Sequence, residues 1–190
     1  MINPLPPAEI EPAHPDDLGV IDRLQQEAFN TPWTTELLRA AILNEEYCVR
    51  VLRNPLLGLL GFYISHAVEK RCNLDNLVVR PAQRRKGLGT MLINDWAEQA
   101  AAKGLHVLTL QVNTANRDAQ RLYERLGFRS TRILISYYPN GNDAFQMERG
   151  KKQALDDTLL GSLTGESPLD KLALRPLGLI SPLRRKKQTP

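Results

Sequence analysis

The sequence predicts a mixed α/β fold with a parallel strand pair in the middle of its sheet. Three observations carry this expectation. Short apolar runs divided by turn residues stand near both ends of the globular part, and a strand–helix–strand–helix order lies between them. The run Val78-Val79-Arg80-Pro81-Ala82-Gln83-Arg84-Arg85-Lys86-Gly87-Leu88-Gly89-Thr90 joins these parts, reading as apolar strand, basic glycine-bearing turn and helix start. With 190 residues and 42% hydrophobic side chains, the chain is long enough for one well-cored domain and short for two.

Residues 1–9, with Pro4, Pro6 and Pro7, read as a mobile start, so the domain is expected over residues 10–149. Leu18, Ile21, Leu24 and Ala28 recur at helical spacing and place a helix over residues 15–29. Thr31-Pro32-Trp33-Thr34 breaks it, and Thr34 suits the cap of a second helix running to Leu43. Tyr47–Arg53 and Leu57–His66 read as two antiparallel strands around Asn54-Pro55, and Cys72–Val79 as a third. A helix over residues 87–103 carries Leu88, Met91, Leu92 and Trp96 on one face, with Gly104 as its stop. After a strand from His106 to Val112, Asn116 caps a helix carrying Ala119, Leu122, Tyr123 and Leu126. Phe128–Tyr137 and Ala144–Arg149 then form a hairpin around Pro139-Asn140-Gly141-Asn142.

Charge separates the last 40 residues from the rest. Residues 1–150 hold 17 basic and 17 acidic side chains, whereas residues 151–190 hold 8 and 4, which accounts for the whole net charge of +4. The pI near 9.2 is therefore a property of the tail and no argument for a nucleic-acid-binding domain. Residues 150–190 read as a disordered, leucine- and proline-containing tail, or as a short docking segment. Its end, Arg184-Arg185-Lys186-Lys187, suits an acidic partner such as ribosomal RNA. No apolar run approaches the roughly 20 residues of a membrane helix, and the N-terminus lacks the pattern of a secretory signal. Cys48 and Cys72 have neither disulfide nor metal spacing and read as free thiols of a cytoplasmic protein. His14, His66 and His106 are scattered, so no metal site is expected.

The glycine turn carries the chemistry. A helix start presents unpaired N–H groups and a partial positive charge. Gly87 and Gly89 remove side chains that would hold a phosphate off, while Arg84, Arg85 and Lys86 add formal charge. A pyrophosphate seat is the expectation.

Arg84-Arg85-Lys86-Gly87-Leu88-Gly89 resembles the signature of the GNAT acetyl-CoA-dependent N-acetyltransferases. A second block resembles them too: Asn113-Thr114-Ala115-Asn116, Ala119, then Leu122-Tyr123-Glu124-Arg125-Leu126-Gly127-Phe128. Pro32-Trp33, Asn76-Leu77-Val78-Val79 and Tyr137-Tyr138-Pro139 are most similar to the N-terminal acetyltransferases of the bacterial ribosomal-protein-alanine type. The resemblance covers about residues 10–149. It implies a mostly antiparallel twisted sheet, a splayed central parallel pair and flanking helices. It also implies acetyl-CoA as co-substrate and a protein or peptide N-terminus as acceptor; a monomer is the expectation for the chain.

By the same resemblance, the backbone of Leu77, Val78 and Val79 pairs with the pantetheine arm. Arg84, Arg85, Lys86, Gly87, Leu88, Gly89 and Thr90 take the pyrophosphate, and Asn116 touches the cofactor. Tyr123 matches the proton donor to the departing thiolate. A phenol near pKa ~10 is still protonated at neutral pH and so has a proton to give a departing thiolate near ~8.5, a transfer uphill by about 1.5 pKa units, although Tyr123 also lies on an apolar stripe and suits a packing role. Trp33, Tyr137 and Tyr138 would line the acceptor peptide. The ribosomal-protein-alanine type carries a glutamate where this chain has Gln111, and an amide is no general base. Alternation sets Gln111 with Val107 and Thr109, opposite Leu108 and Leu110. Asp75 is the preferred stand-in, on the assumption that it shares a strand face with Leu77 and Val79. Glu69 or Glu46 acting through water is a second option. A third is that no strong base is needed, because an α-amine is already roughly 10–20% neutral near pH 7.3. A small-amine acetyltransferase and a catalytically weak acyl-CoA-binding regulatory module remain alternatives.

Overall fold

The structure, a computed structural model, describes residues 7–150. In chain order it contains β1 (Glu9–Pro12), α1 (Leu18–Ala28), α2 (Thr35–Leu43), β2 (Tyr47–Asn54), β3 (Gly58–Val68), β4 (Arg71–Val79), α3 (Leu88–Ala102), β5 (Val107–Asn113), α4 (Arg117–Arg125), β6 (Arg129–Leu134) and β7 (Ala144–Arg149). The strands make one sheet in the order β1-β2-β3-β4-β5-β7-β6. Neighbours are antiparallel except β4 and β5, which form the parallel pair in the middle.

Local chemistry places most ends where the residues indicate. The Thr34 hydroxyl accepts from the Leu37 N–H at 3.3 Å and starts α2, and Asn116 Oδ1 accepts from the Ala119 N–H at 3.2 Å and starts α4. Gly104 ends α3 in the left-handed region, at φ +73°.

Two boundaries differ from the expectation. The sheet begins at Glu9, inside the stretch expected to be mobile: β1 pairs along β2, and Arg50 donates to the Ile10 carbonyl at 3.0 Å. Arg53 also bridges Glu11 and Asp17, so tertiary partners outweigh the proline-rich composition. The strand expected over Phe128–Tyr137 stops at Leu134. Ser136 takes φ +50° and donates its N–H to the Asp143 carboxylate at 2.8 Å, so Tyr137 and Tyr138 ride on the turn. Residues 151–190 lie outside the described residues, and with them the expectations for the tail and its basic end.

Helices α3 and α4 cover one sheet face, where Leu92, Ile93 and Trp96 pack with Leu108, Leu110, Met147 and Phe128. Helices α1 and α2 cover the other face over β2–β4, where Ile21, Leu24 and Leu38 pack with Val51, Phe62, Ile64 and Val78. Each fully buried side chain of this size contributes about 1.5–3 kcal/mol, so the two clusters hold the sheet rigid from both sides.

Two irregularities in β4 shape the molecule's centre. The parallel pairing runs from Arg71↔Val107 to Leu74↔Leu110 and ends there, while β4 continues to Val79 and β5 to Asn113. A gap therefore opens between the two strands toward their C-terminal ends. In the β3–β4 ladder, Ser65 pairs with Leu74 and Ile64 with Asn76, so Asp75 is the extra residue of a β-bulge.

Candidate active site

On the α3–α4 side of the gap, Leu77 and Val79 pack against the cluster that contains Leu92 and Trp96. Val78 points the other way, is buried, and packs in the α1–α2 cluster, so it can offer this side only its backbone. β4 then passes through a short turn of 3₁₀ helix at Pro81–Gln83 into the glycine turn. Arg85 and Gly87 both take left-handed conformations, φ +64° and +81°. The first helical hydrogen bond shown at the α3 start runs from the Met91 N–H to the Gly87 carbonyl at 3.1 Å, leaving the N–H groups of Leu88, Gly89 and Thr90 ahead of it. A Cβ on Gly89 would lie 3.1 Å from Leu122 Cδ2, so glycine lets α3 and α4 approach here.

The three cations are exposed and each is held by one partner. Arg84 Nε donates to the Val79 carbonyl at 3.1 Å, Arg85 pairs with Asp118 at 3.0 Å, and Lys86 reaches Gln83 Oε1 at 2.8 Å. Asn116 uses its oxygen as the α4 cap, which leaves its NH₂ as the donor on the exposed side. Gln120, not singled out in the sequence, is buried and donates to the carbonyls of Asn113 and Thr114, fixing the β5–α4 turn.

Tyr123 lies 8% exposed, its ring edge-on to Phe128 with centroids 5.8 Å apart. Burial pushes its phenol well above the ordinary value, and the nearby Tyr138 adds to the shift. Tyr138 is itself pushed up to about 12 by burial, with a hydrogen bond to the Asn113 backbone pulling the other way. The β6–β7 turn thus brings Tyr138 to the open end of β5, beside Tyr123, and Tyr137 stacks edge-on against it at 5.1 Å. Both phenols stay protonated near neutral pH.

The opposite face is polar. Gln111 faces away from Leu108 and Leu110, as alternation along β5 requires. Its Nε2 donates to Asn73 Oδ1 at 3.3 Å, and the Thr109 hydroxyl donates to the same oxygen at 3.0 Å. Asn73 Nδ2 donates to Asp75 Oδ1 at 2.8 Å, and Asp75 Oδ2 lies 2.5 Å from His66 Nδ1. The expectation that Asp75 shares a face with Leu77 and Val79 is therefore corrected. The bulge turns Asp75 to the face of Asn73 and Gln111, with its side chain only 7% exposed. Glu46 and Glu69 are exposed residues outside the strands, Glu69 in a left-handed turn beside the closed end of the pair.

Trp33 belongs to the same side as α1 and α2, partly buried against their cluster. Its backbone is held by Gln25, which is not among the site residues expected from the sequence. The signal was present: Gln25 is a polar residue on the apolar stripe of α1, four residues after Ile21.

Residues 18–128 match the acetyltransferase (GNAT) family. The chain belongs to that family. A ribosomal protein bS18-alanine N-acetyltransferase of Escherichia coli is 31% identical over 124 residues, which cover 65% of this chain and 82% of that protein. The crystal structure of the ribosomal-protein-S18-alanine N-acetyltransferase from Escherichia coli superposes with a TM-score of 0.68 at 28% identity, over 76% of this chain and 97% of that one. Arabidopsis thaliana NAA60 in complex with acetyl-CoA superposes with a TM-score of 0.70 over 76% and 98%. At 18% identity that likeness is one of fold. As a GNAT N-acetyltransferase, the chain has its glycine turn and buried tyrosine on one side of the sheet and its polar triad on the other. The unpaired stretch between β4 and β5 connects them.

Proposed function

We propose that the chain transfers the acetyl group of acetyl-CoA to the N-terminal α-amine of a protein, in the manner of the ribosomal-protein-alanine acetyltransferases. The observation that carries this is the gap beyond Leu74↔Leu110, with a protonated phenol on one side and Gln111, Asn73 and Asp75 on the other.

The residues present fit acetyl-CoA. The N–H groups of the α3 start, which have no acceptor among the described residues, suit its pyrophosphate together with Arg84, Arg85 and Lys86, Asn116 adds a donor, and the backbone of Leu77–Val79 can pair with the pantetheine amides as an added strand. In the transfer, the amine nitrogen attacks the thioester carbonyl and the C–S bond breaks. The sulfur takes the Tyr123 proton. The new amide nitrogen sheds its extra proton to solvent, from which Tyr123 is restored.

An α-amine suits a site whose β5 group is an amide. About 10–20% of it is neutral near pH 7.3, against roughly 0.1% of a lysine side chain. Trp33, Tyr137 and Tyr138 offer flat apolar area and hydroxyls to the peptide backbone. Gln111 also favours a second reading, an acyl-CoA-binding module with little turnover.

The test is thiol release from acetyl-CoA with peptides differing only in residue one, with lysine peptides and spermidine as controls. Turnover on Ala- or Ser-starting peptides, abolished by blocking the α-amine, is the expected outcome. Acetyl-CoA binding without turnover would establish the second reading, and activity on spermidine alone a small-amine enzyme.

A further inference from the structure

We infer that Asp75 acts on the attacking amine through Asn73 and Gln111. The three side chains form a polarised hydrogen-bond chain that turns the Gln111 carbonyl oxygen toward the acceptor site, and Asn73 and Asp75 are positioning residues. This rests on the α-amine reading above and names how that site holds its amine.

The polarity of the chain has one origin. A carboxylate offers only acceptors. Asp75, beside a His66 side chain that is 2% exposed, accepts at Oδ1 from Asn73 Nδ2. That fixes the amide of Asn73, whose oxygen must face β5, where it accepts from Thr109 and Gln111. Gln111 is fixed in turn, with its NH₂ toward Asn73. Flipping Asn73 would set its oxygen against the Asp75 carboxylate and its NH₂ against that of Gln111. Flipping Gln111 alone would oppose two carbonyl oxygens. Each alternative replaces a bond by a repulsion inside a half-buried site.

What remains is Gln111 Oε1, an acceptor that no donor reaches among the described residues. The amine keeps its N–H bonds while its nitrogen becomes positive, so a hydrogen bond from that N–H to a fixed carbonyl oxygen strengthens as the N–C bond forms. A fixed acceptor thus serves where a carboxylate would have served as base. It also makes Gln111→Glu a poor exchange, because a carboxylate cannot donate to Asn73 Oδ1.

The experiment measures kcat and both KM values on an Ala-starting peptide for Asn73→Leu, Asp75→Leu, Asp75→Asn and Gln111→Glu, with thermal melting as the check on folding. The expected result is a fall in kcat of about tenfold for Asn73→Leu and Asp75→Leu, with the acetyl-CoA KM within about twofold of wild type. Asp75→Asn recovers most of the loss, since the asparagine oxygen still accepts from Asn73 while its NH₂ faces His66 Nδ1. Gln111→Glu shows no gain in kcat. Should Asp75→Leu fail to fold, Asn73→Leu and Asp75→Asn decide the matter alone. An unchanged kcat in Asn73→Leu overturns the inference. So does a loss in Asp75→Asn of about 100-fold or more, the mark of a carboxylate that itself takes the proton. Wild-type turnover accompanied by either result removes this inference and leaves the α-amine reading standing, whereas a wild type silent on every α-amine peptide removes both.

Discussion

Gln25 holds the backbone of Trp33 with both ends of its amide. Its Nε2 donates to the Trp33 carbonyl at 2.6 Å, and its Oε1 accepts from the Trp33 N–H at 3.0 Å, with the glutamine fully buried. The loop between α1 and α2 is thereby tied to α1 at two points. Gln25→Leu leaves both Trp33 groups unpaired and is expected to cost about 1–3 kcal/mol in denaturant unfolding. The loop is released with it, so the peptide KM rises several-fold while the acetyl-CoA KM holds.

The glycine turn makes a backbone demand. Gly87 stands at φ +81°, where a side chain costs about 1–2 kcal/mol. Gly87→Ala is expected to lower stability by that amount and to weaken coenzyme A in titration calorimetry. Gly89→Ala acts by contact instead, pressing on Leu122, and should weaken coenzyme A with a smaller loss of stability.

Tyr123→Phe removes a hydroxyl and keeps the ring against Phe128. If that hydroxyl supplies the thiolate proton, kcat falls about 100-fold while melting temperature and acetyl-CoA KM stay close to wild type. A wild-type kcat would reduce Tyr123 to a packing residue.

Alkaline stability follows from the same burial. The phenols of Tyr63 and Tyr123 are both raised, each chiefly by desolvation. The native state therefore holds these protons after the unfolded chain, with phenols near pKa ~10, has begun to release them. Their contribution is complete below about pH 10 and is lost as pH rises further. Denaturant unfolding between pH 8 and 11 should show a falling stability, with a shallower slope in Tyr63→Phe.

Arg85 and Asp118 form an ion pair whose side chains are 83% and 66% exposed. Such a pair contributes less than about 1 kcal/mol, so Asp118→Ala should leave the melting temperature nearly unchanged. It removes the anion that competes for Arg85, and coenzyme A is expected to bind several-fold tighter, most clearly at low salt. Unchanged affinity across salt concentrations would take Arg85 out of the phosphate seat.

Much of this arrangement is legible in the residues, and the exceptions share a cause. Thr34, Asn116, Gly87 and Gly104 act within a few residues of themselves, so capping and turn chemistry find them. Gln111 is placed correctly because nothing interrupts the alternation of β5. Asp75 is misplaced because a bulge is a property of two strands, visible only where β3 meets β4. β1 is missed for a similar reason: Glu9-Ile10-Glu11-Pro12 has little strand character of its own and is kept in the sheet by Arg50 and Arg53.

Counted without Asp75, β4 alternates without a break. Cys72, Leu74, Leu77 and Val79 look toward α3, and Asn73, Asn76 and Val78 look away. The aspartate is thus an inserted letter that leaves the spelling on either side intact. A chain lacking Asp75 could close the β3–β4 ladder with every other side chain still facing its own wall. At this one position the fold and its chemistry come apart: the carboxylate can be removed from the line without rewriting the strand that carries it.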